Sequence, residues 1–268
     1  MTAIALTIAG SDSGGGAGIQ ADLKTFSALE VYGASVITAL TAQNTLGVSG
    51  IHDVPADFIT AQMDAVYSDL AVAATKIGML SLPATIETVA RGLDRHKAKN
   101  IVLDPVMVAA SGDPLLKPEA IETLKRELIP RALVVTPNLH EAAALTGMPL
   151  AADEAAMRVQ GEALLKLGAR AVLVKGGHGE GLEAVDLLVE KIGVRRFAAK
   201  RIATKNTHGT GCTLSSAIAA GLAKGMPLAD GVAAAKDFVS AAIAASVQLK
   251  IGKGRGPVHH FHAVWPRI

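Results

Sequence analysis

The eight residues Lys205-Asn-Thr-His-Gly-Thr-Gly-Cys212 carry the strongest chemical signal in this chain of 268 residues. They open a long Ala-rich apolar stretch that reads as a helix. A Gly-Thr-Gly turn entering a helix leaves several backbone N–H groups unpaired and pointing outward, which makes an anion cradle. The only cysteine, Cys212, falls in the first helical turn. There the helix dipole and the nearby N–H groups favour a thiolate. A phosphate cradle beside an activatable group is what phosphoryl transfer needs. The plainer alternative is a glycine-rich helix start with a small, inert, buried thiol.

Other polar residues gather at comparable places. Asp104 stands in Leu-Asp-Pro-Val, and Asn138 and Glu141 stand in Asn-Leu-His-Glu. Such oxygens suit Mg²⁺, which takes few protein ligands and keeps several waters. Asn138 and Glu141 equally suit a helix N-cap with its capping-box partner, and both roles can coexist. Lys175 precedes Gly176-Gly177-His178, where a strand-end ammonium can reach phosphate oxygens as a point charge or stay solvated. Gly10-Ser-Asp-Ser-Gly-Gly-Gly-Ala-Gly18 can cradle phosphate or serve as a plain flexible loop. It fits a dinucleotide fingerprint poorly, being too long for the tight turn and lacking an acid after the second strand. No Walker A pattern occurs. Asp22 suits an early-helix dipole partner, and Gln43 a strand end; both can also hydrogen-bond a heteroaromatic ligand. His259, His260 and His262 lack the Cys or acid neighbours of a metal site and read as a surface or interface cluster.

The elements that must position these residues alternate strand and helix. Ile4–Ala9, Ser35–Leu40, Thr75–Met79, Ile101–Leu103, Leu133–Thr136 and Ala171–Val174 have strand length and apolar character. Helical faces follow at Ile19, Leu23, Phe26 and Leu29, at Phe58 to Leu70 after Pro55, and over Ala155–Leu167. Leu187–Glu190 and Arg195–Ala199 read as a hairpin around Ile192-Gly193-Val194. From Gly211 to about Val247 the chain reads as Ala-rich helix broken near Gly225-Met226-Pro227. The alternation implies one α/β domain over residues 1–268: a mostly parallel sheet, helices on both faces, ligands at the carboxyl ends of the strands. Asp12, Asp104, Asn138, Glu141 and Lys175 all follow strands, so they fall on that one side.

Composition narrows the function classes. Half the residues are apolar, aromatics are 3%, and the net charge is +2 without a basic stripe, which gives nucleic-acid binding no electrostatic support. A single cysteine makes no internal disulfide and no Cys-rich zinc site. No apolar run is long enough to span a bilayer, and no basic leader opens the chain, so a cytoplasmic protein is expected.

Together, Ala9–Lys24, Thr38–Asn44, Lys76–Met79, Leu103–Met107, Thr136–Asn138, Lys175–His178, Lys205–Thr213 and the tail Gly256–His262 resemble the bacterial hydroxymethylpyrimidine/phosphomethylpyrimidine kinases. These are the thiamine-biosynthesis kinases of the ribokinase superfamily. The resemblance spans essentially the whole chain in order. It implies a three-layer ribokinase-like fold, ATP, Mg²⁺ and a homodimer. It implies two successive phosphorylations, first of 4-amino-5-hydroxymethyl-2-methylpyrimidine and then of its monophosphate. It places Asp22, Gln43, Met79 and Val106 around the pyrimidine, and Asp104, Asn138 and Glu141 around metal and triphosphate. Lys175 is then placed near the phosphates, with Thr207, Gly209, Thr210 and Gly211 in the anion hole. Cys212 matches the position of the catalytic Asp of related sugar kinases, which implies a modest base or hydrogen-bond partner for the substrate hydroxyl. Ala110 stands where the resemblance expects Lys, and Lys253 and Arg255 also depart from it. The competing readings are a pyridoxal kinase, a non-catalytic pyrimidine-binding regulator and, more remotely, a dinucleotide-dependent oxidoreductase.

Overall fold

The structure is a computed structural model that describes residues 2–108, 118–177 and 181–265. In chain order the first half comprises β1 (Ile4–Ala9), α1 (Gly18–Ala28), β2 (Tyr32–Ile37), β3 (Ala39–Asn44), β4 (Gly47–Asp53), α2 (Ala56–Asp69), β5 (Ala74–Ile77), α3 (Pro83–Arg95), β6 (Ile101–Leu103) and α4 (Pro118–Glu127). The second half comprises β7 (Val134–Val135), α5 (Leu139–Thr146), α6 (Glu154–Lys166), β8 (Ala171–Lys175), β9 (Glu183–Glu190), β10 (Gly193–Lys200), α7 (Thr210–Ala223) and α8 (Leu228–Ala245). Eight strands form one sheet in the order β10-β9-β8-β7-β6-β5-β1-β2. From β8 to β2 every pairing is parallel, while β9 and β10 close one edge as an antiparallel hairpin.

Side-chain alternation explains why both faces are covered. Along β1, Leu6 and Ile8 join one apolar cluster while Ala5 joins the other. Ile101 and Leu103 of β6 face the first cluster, and Val102 the second. The first cluster takes residues from α2 to α6, and the second from α1, α7 and α8. Strands buried on both sides are largely apolar, as β6, β7 and most of β8 are, while β1 and β5 also bury Thr7, Thr75 and Lys76. The result is helix, sheet, helix in three layers, as the strand–helix alternation predicts.

Four expectations shift in detail. The second strand ends at Ile37; beyond Thr38 the chain leaves the main sheet and pairs with β4 in a separate two-stranded sheet, so Gln43 lies on β3 and not at the end of a core strand. That small sheet has no long apolar run to betray it. Helices α3 and α4 carry charges between their apolar residues and escape a search for long apolar faces, although their buried residues pack on the first cluster. The hairpin strands are longer than expected and turn at Lys191-Ile192, with Gly193 and Val194 already inside β10. His259 and His260 are buried rather than at the surface. Ala110 and His178 lie outside the described residues.

Candidate active site

The anion turn forms as its sequence requires. Gly209 caps α7 with φ +81°, the left-handed region that costs a residue with a Cβ. A Cβ there would also collide with the carbonyl of Gly16. Thr207 closes the turn: its carbonyl accepts from the Thr210 N–H at 3.2 Å and from Thr210 Oγ1 at 2.7 Å. Small residues let α7 lie close against the sheet: it packs on β1, β5 and β6. Ser215 and Ser216 thereby reach carboxylates at its underside.

Beside the turn, the carboxyl ends of β6, β7 and β8 bring three ionisable side chains together. Lys175 Nζ donates to Asp104 Oδ1 at 2.8 Å and lies 3.9 Å from Glu141 Oε2. Asp104 also accepts from Thr136 Oγ1 at 3.2 Å and from Ser215 Oγ at 3.1 Å. A Cβ on Gly211 would sit 3.4 Å from Lys175 Nζ and 3.7 Å from Asp104 Oδ2, so the group and the turn share one space. Burial alone would raise the Asp104 pKa, but the charges of Lys175 and Lys76 outweigh it and hold the carboxyl below its usual range. Lys175 is also desolvated, yet Asp104 and Glu141 raise its pKa and keep it charged. Glu141 is pushed up to about 7, chiefly by burial and further by Asp104, against the pull of Lys175.

Asn138 and Glu141 form the full capping box: Asn138 Oδ1 accepts from the Glu141 N–H at 2.9 Å, and Glu141 Oε2 accepts from the Asn138 N–H at 2.7 Å. The structural role is therefore real, and it also aims Glu141 at Lys175.

On the other side of the turn lies the glycine loop. Asp12 is buried and organises it by accepting from the N–H groups of Gly14, Gly16 and Ala17 at 2.8, 3.0 and 2.8 Å. Ser13 is bonded to the backbone of Gln43, and Thr41 Oγ1 donates to the Ser11 carbonyl at 2.8 Å, so the loop and β3 move as a unit. Met79 approaches Gly10 closely, and its carbonyl accepts from Thr38 Oγ1 at 3.0 Å. Val106 follows Asp104 and stays partly exposed. Gln43 on β3, and Met79 and Val106 in the loops after β5 and β6, thus follow the carboxyl ends of β2, β5 and β6, on the same side of the sheet as the turn.

Asp22 departs from its expected place. Its side chain is wholly buried: both oxygens accept from Lys76 Nζ, Oδ2 also from Thr7 Oγ1 and Oδ1 also from Ser216 Oγ, at 2.6 to 2.9 Å. Thr7 and Lys76 are register partners on β1 and β5, and α1 and α7 supply the other two groups. Asp22 braces the site from within instead of facing a ligand. Cys212 departs too. It is partly exposed at the first turn of α7, but burial around its sulfur, with Asp22 and Asp104 adding, pushes the thiol up to about 11 against the pull of Lys76. It is a thiol and not the thiolate that its helical position alone favours. Sequence reasoning does not single out Lys76, Ser215 or His208, which the structure brings to this place. A lysine inside an otherwise apolar strand, Ala-Thr-Lys-Ile, was the available signal for the first.

Comparison with known proteins identifies the family. The phosphomethylpyrimidine kinase family profile matches residues 12–259. The chain belongs to the phosphomethylpyrimidine kinase family. A hydroxymethylpyrimidine/phosphomethylpyrimidine kinase of Rhizobium meliloti (strain 1021) is 64% identical over 99% of both chains. That of Escherichia coli (strain K12) is 54% identical over 97% of this chain and 98% of its own. Solved structures include phosphomethylpyrimidine kinase from Clostridium difficile 630, with a TM-score of 0.80 and 47% identity over 90% of this chain and 99% of that one. An ADP complex of Bacillus subtilis pyridoxal kinase superposes with a TM-score of 0.91 at 37% identity over 98% and 99% of the two chains. The ribokinase-like fold is thus shared by this family of phosphotransferases and by pyridoxal kinases.

Proposed function

We propose that this protein transfers the γ-phosphoryl of ATP to the hydroxymethyl group of 4-amino-5-hydroxymethyl-2-methylpyrimidine, and then to the resulting monophosphate, in thiamine biosynthesis. The observation that carries this reading is the junction of the Gly209–Gly211 turn with Lys175 and Asp104, which offers a phosphate cradle, a cation and a buried carboxylate in one space. The identity to hydroxymethylpyrimidine/phosphomethylpyrimidine kinases over nearly the whole chain supplies the substrate class.

The residues divide the work by chemistry. The N–H groups of the turn face the phosphates, and Lys175 neutralises charge that spreads over the transferring group. Gln43, Met79 and Val106 bound the pyrimidine, with Gln43 offering both donor and acceptor to its edge. As a neutral thiol, Cys212 serves the hydroxyl as a hydrogen-bond partner and positioning contact. A loose transition state does not demand a strong base there. Asp104 and Glu141 fit Mg²⁺: they offer hard carboxylate oxygens side by side, and a bound cation would favour the ionised form of Glu141. Asp104 and Glu141 would hold the ion, and it would supply positive charge against the phosphates. The reading includes action in the cytoplasm, where ATP is available, and a homodimer. Exposed Leu40 on β3 and Leu46 in the β3–β4 turn support the dimer.

A second reading, pyridoxal phosphorylation, draws on the structural likeness to pyridoxal kinases, whose substrate also carries a hydroxymethyl on a heteroaromatic ring. Incubation with Mg-ATP and either compound, with products resolved by mass, separates them. Mono- and then diphosphorylated pyrimidine is the expected result. Phosphorylated pyridoxal alone moves the substrate assignment, and no product from either overturns the kinase reading.

A further inference from the structure

His208 sits within the anion turn yet reaches away from it. Its Nε2 lies 2.8 Å from Asp12 Oδ2, and since a carboxylate only accepts, Nε2–H is the donor. Asp12 is the residue on which the glycine loop folds, through the N–H groups of Gly14, Gly16 and Ala17. The Gln43 amide nitrogen lies 3.4 Å from the same His208 nitrogen, a contact between two donors, and Gln43 is joined to the loop by its backbone N–H donating to Ser13 Oγ at 2.8 Å. A side chain on Gly16 would collide with the His208 ring, so the loop can pass only as glycine. The backbone of His208 is fixed as well: its N–H donates to the Gly256 carbonyl at 3.0 Å, and its carbonyl accepts from the Val258 N–H at 3.2 Å. Both side chains are buried, so this bond is little diluted by water.

We propose that the His208–Asp12 pair is a positioning device that holds the glycine loop and Gln43 in register with the Gly209–Gly211 turn, and so holds acceptor and phosphoryl donor in line. The inference rests on the kinase reading above. The two halves of the site come from distant parts of the chain, and the His208–Asp12 bond is one of the buried side-chain bonds that join them, beside that of Ser216 to Asp22. A pair of this kind acts on the relative placement of two reactants and not on the affinity for either alone. Misplacement near 1 Å costs about a hundredfold in rate. It also lets water replace the misplaced hydroxyl as acceptor.

The test compares wild type, His208→Ala, His208→Gln and Asp12→Asn in steady-state assays with Mg-ATP and the hydroxymethylpyrimidine, scoring ADP and phosphopyrimidine separately. Wild type should release about one ADP per phosphopyrimidine formed, the stoichiometry of simple transfer. In H208A, kcat should fall about 10- to 100-fold, with the KM for ATP little changed and ADP in clear excess over phosphopyrimidine. H208Q places an amide N–H near the Nε2 position and should recover most of the turnover and the coupling. Should H208A fail to fold, D12N carries the same expectation, since it keeps the shape and loses the charge. Wild-type kcat and coupling in H208A or D12N, or a loss that follows only the folded fraction, overturns the positioning role. A wild-type protein without turnover overturns instead the kinase reading on which it rests.

Discussion

The ammonium of Lys76 meets the carboxylate of Asp22 at 2.8 Å, with both side chains entirely out of water. The pair lies between sheet and helices, between Thr7 on β1 and Ser216 on α7, and its field reaches Cys212 and Asp104. Breaking such a pair on one side leaves an uncompensated buried charge. Lys76→Met should therefore cost about 3–5 kcal/mol in urea unfolding, whereas the double variant K76M/D22L should recover a large part of it. Equal losses in the single and double variants would show that packing, and not charge, sets the cost.

Lys175 should matter for rate more than for folding. It lies at the end of β8, is partly exposed, and touches Asp104 and Glu141. Lys175→Ala should lower kcat by about 10²- to 10³-fold, the usual loss for one group that stabilises transition-state charge. Circular dichroism should show the fold retained. A KM change alone would instead mark Lys175 as a ground-state contact.

Cys212 should behave as a sluggish thiol. With its pKa pushed up to about 11, mainly by burial, it is protonated at neutral pH. Its iodoacetamide alkylation should be slow at pH 7 and still rising at pH 10, past the point where an ordinary cysteine, with a pKa of about 8.5, has levelled off. A plateau near pH 8 would show that the helix terminus wins over burial. Cys212→Ala with little loss of turnover would remove the sulfur from any proton-accepting role.

His260 gives the fold a pH dependence. It is buried, and its Nε2 lies 3.0 Å from Thr213 Oγ1, whose own proton goes to the Gly209 carbonyl at 2.8 Å. Nε2–H must therefore donate. Burial, with the nearby Lys24 and other histidines, lowers its pKa to about 3. The unfolded chain binds this proton near pH 6.5 and the folded one does not, so stability is full above that value and falls as pH drops towards 3. At pH 5 this group alone should remove about 2 kcal/mol relative to pH 7.5. His260→Gln should flatten the dependence of the urea midpoint on pH. An unchanged slope would assign the acid sensitivity to other groups.

Gly209 should tolerate no side chain. Its φ of +81° and the carbonyl of Gly16 both oppose a Cβ. Gly209→Ala should cost at least about 1 kcal/mol from the backbone conformation alone. It should also lower phosphoryl transfer more than Gly177→Ala, where open space surrounds the added carbon. Equal activity in the two variants would argue against a strained turn at the site.

The three-layer architecture is legible in the sequence, because short apolar runs such as Ala171–Val174 alternate with helical patterns, as a parallel sheet covered on both faces requires. The sequence by itself also determined the turn at Gly209, the capping box at Asn138 and Glu141, and the position of Asp104 and Lys175 at strand ends, since each is local chemistry over a few residues. Tertiary structure decided what those residues do for one another. The pairing of Lys76 with Asp22 joins residues 54 apart, and that of His208 with Asp12 joins residues 196 apart, so neither leaves a trace in any short window. The β3–β4 sheet was likewise hidden, its alternation being too polar to mark a strand before its partner is known. The state of Cys212 was decided last of all. Local position favours the thiolate, but the burial and carboxylates that outweigh it come from elements folded in from elsewhere in the chain.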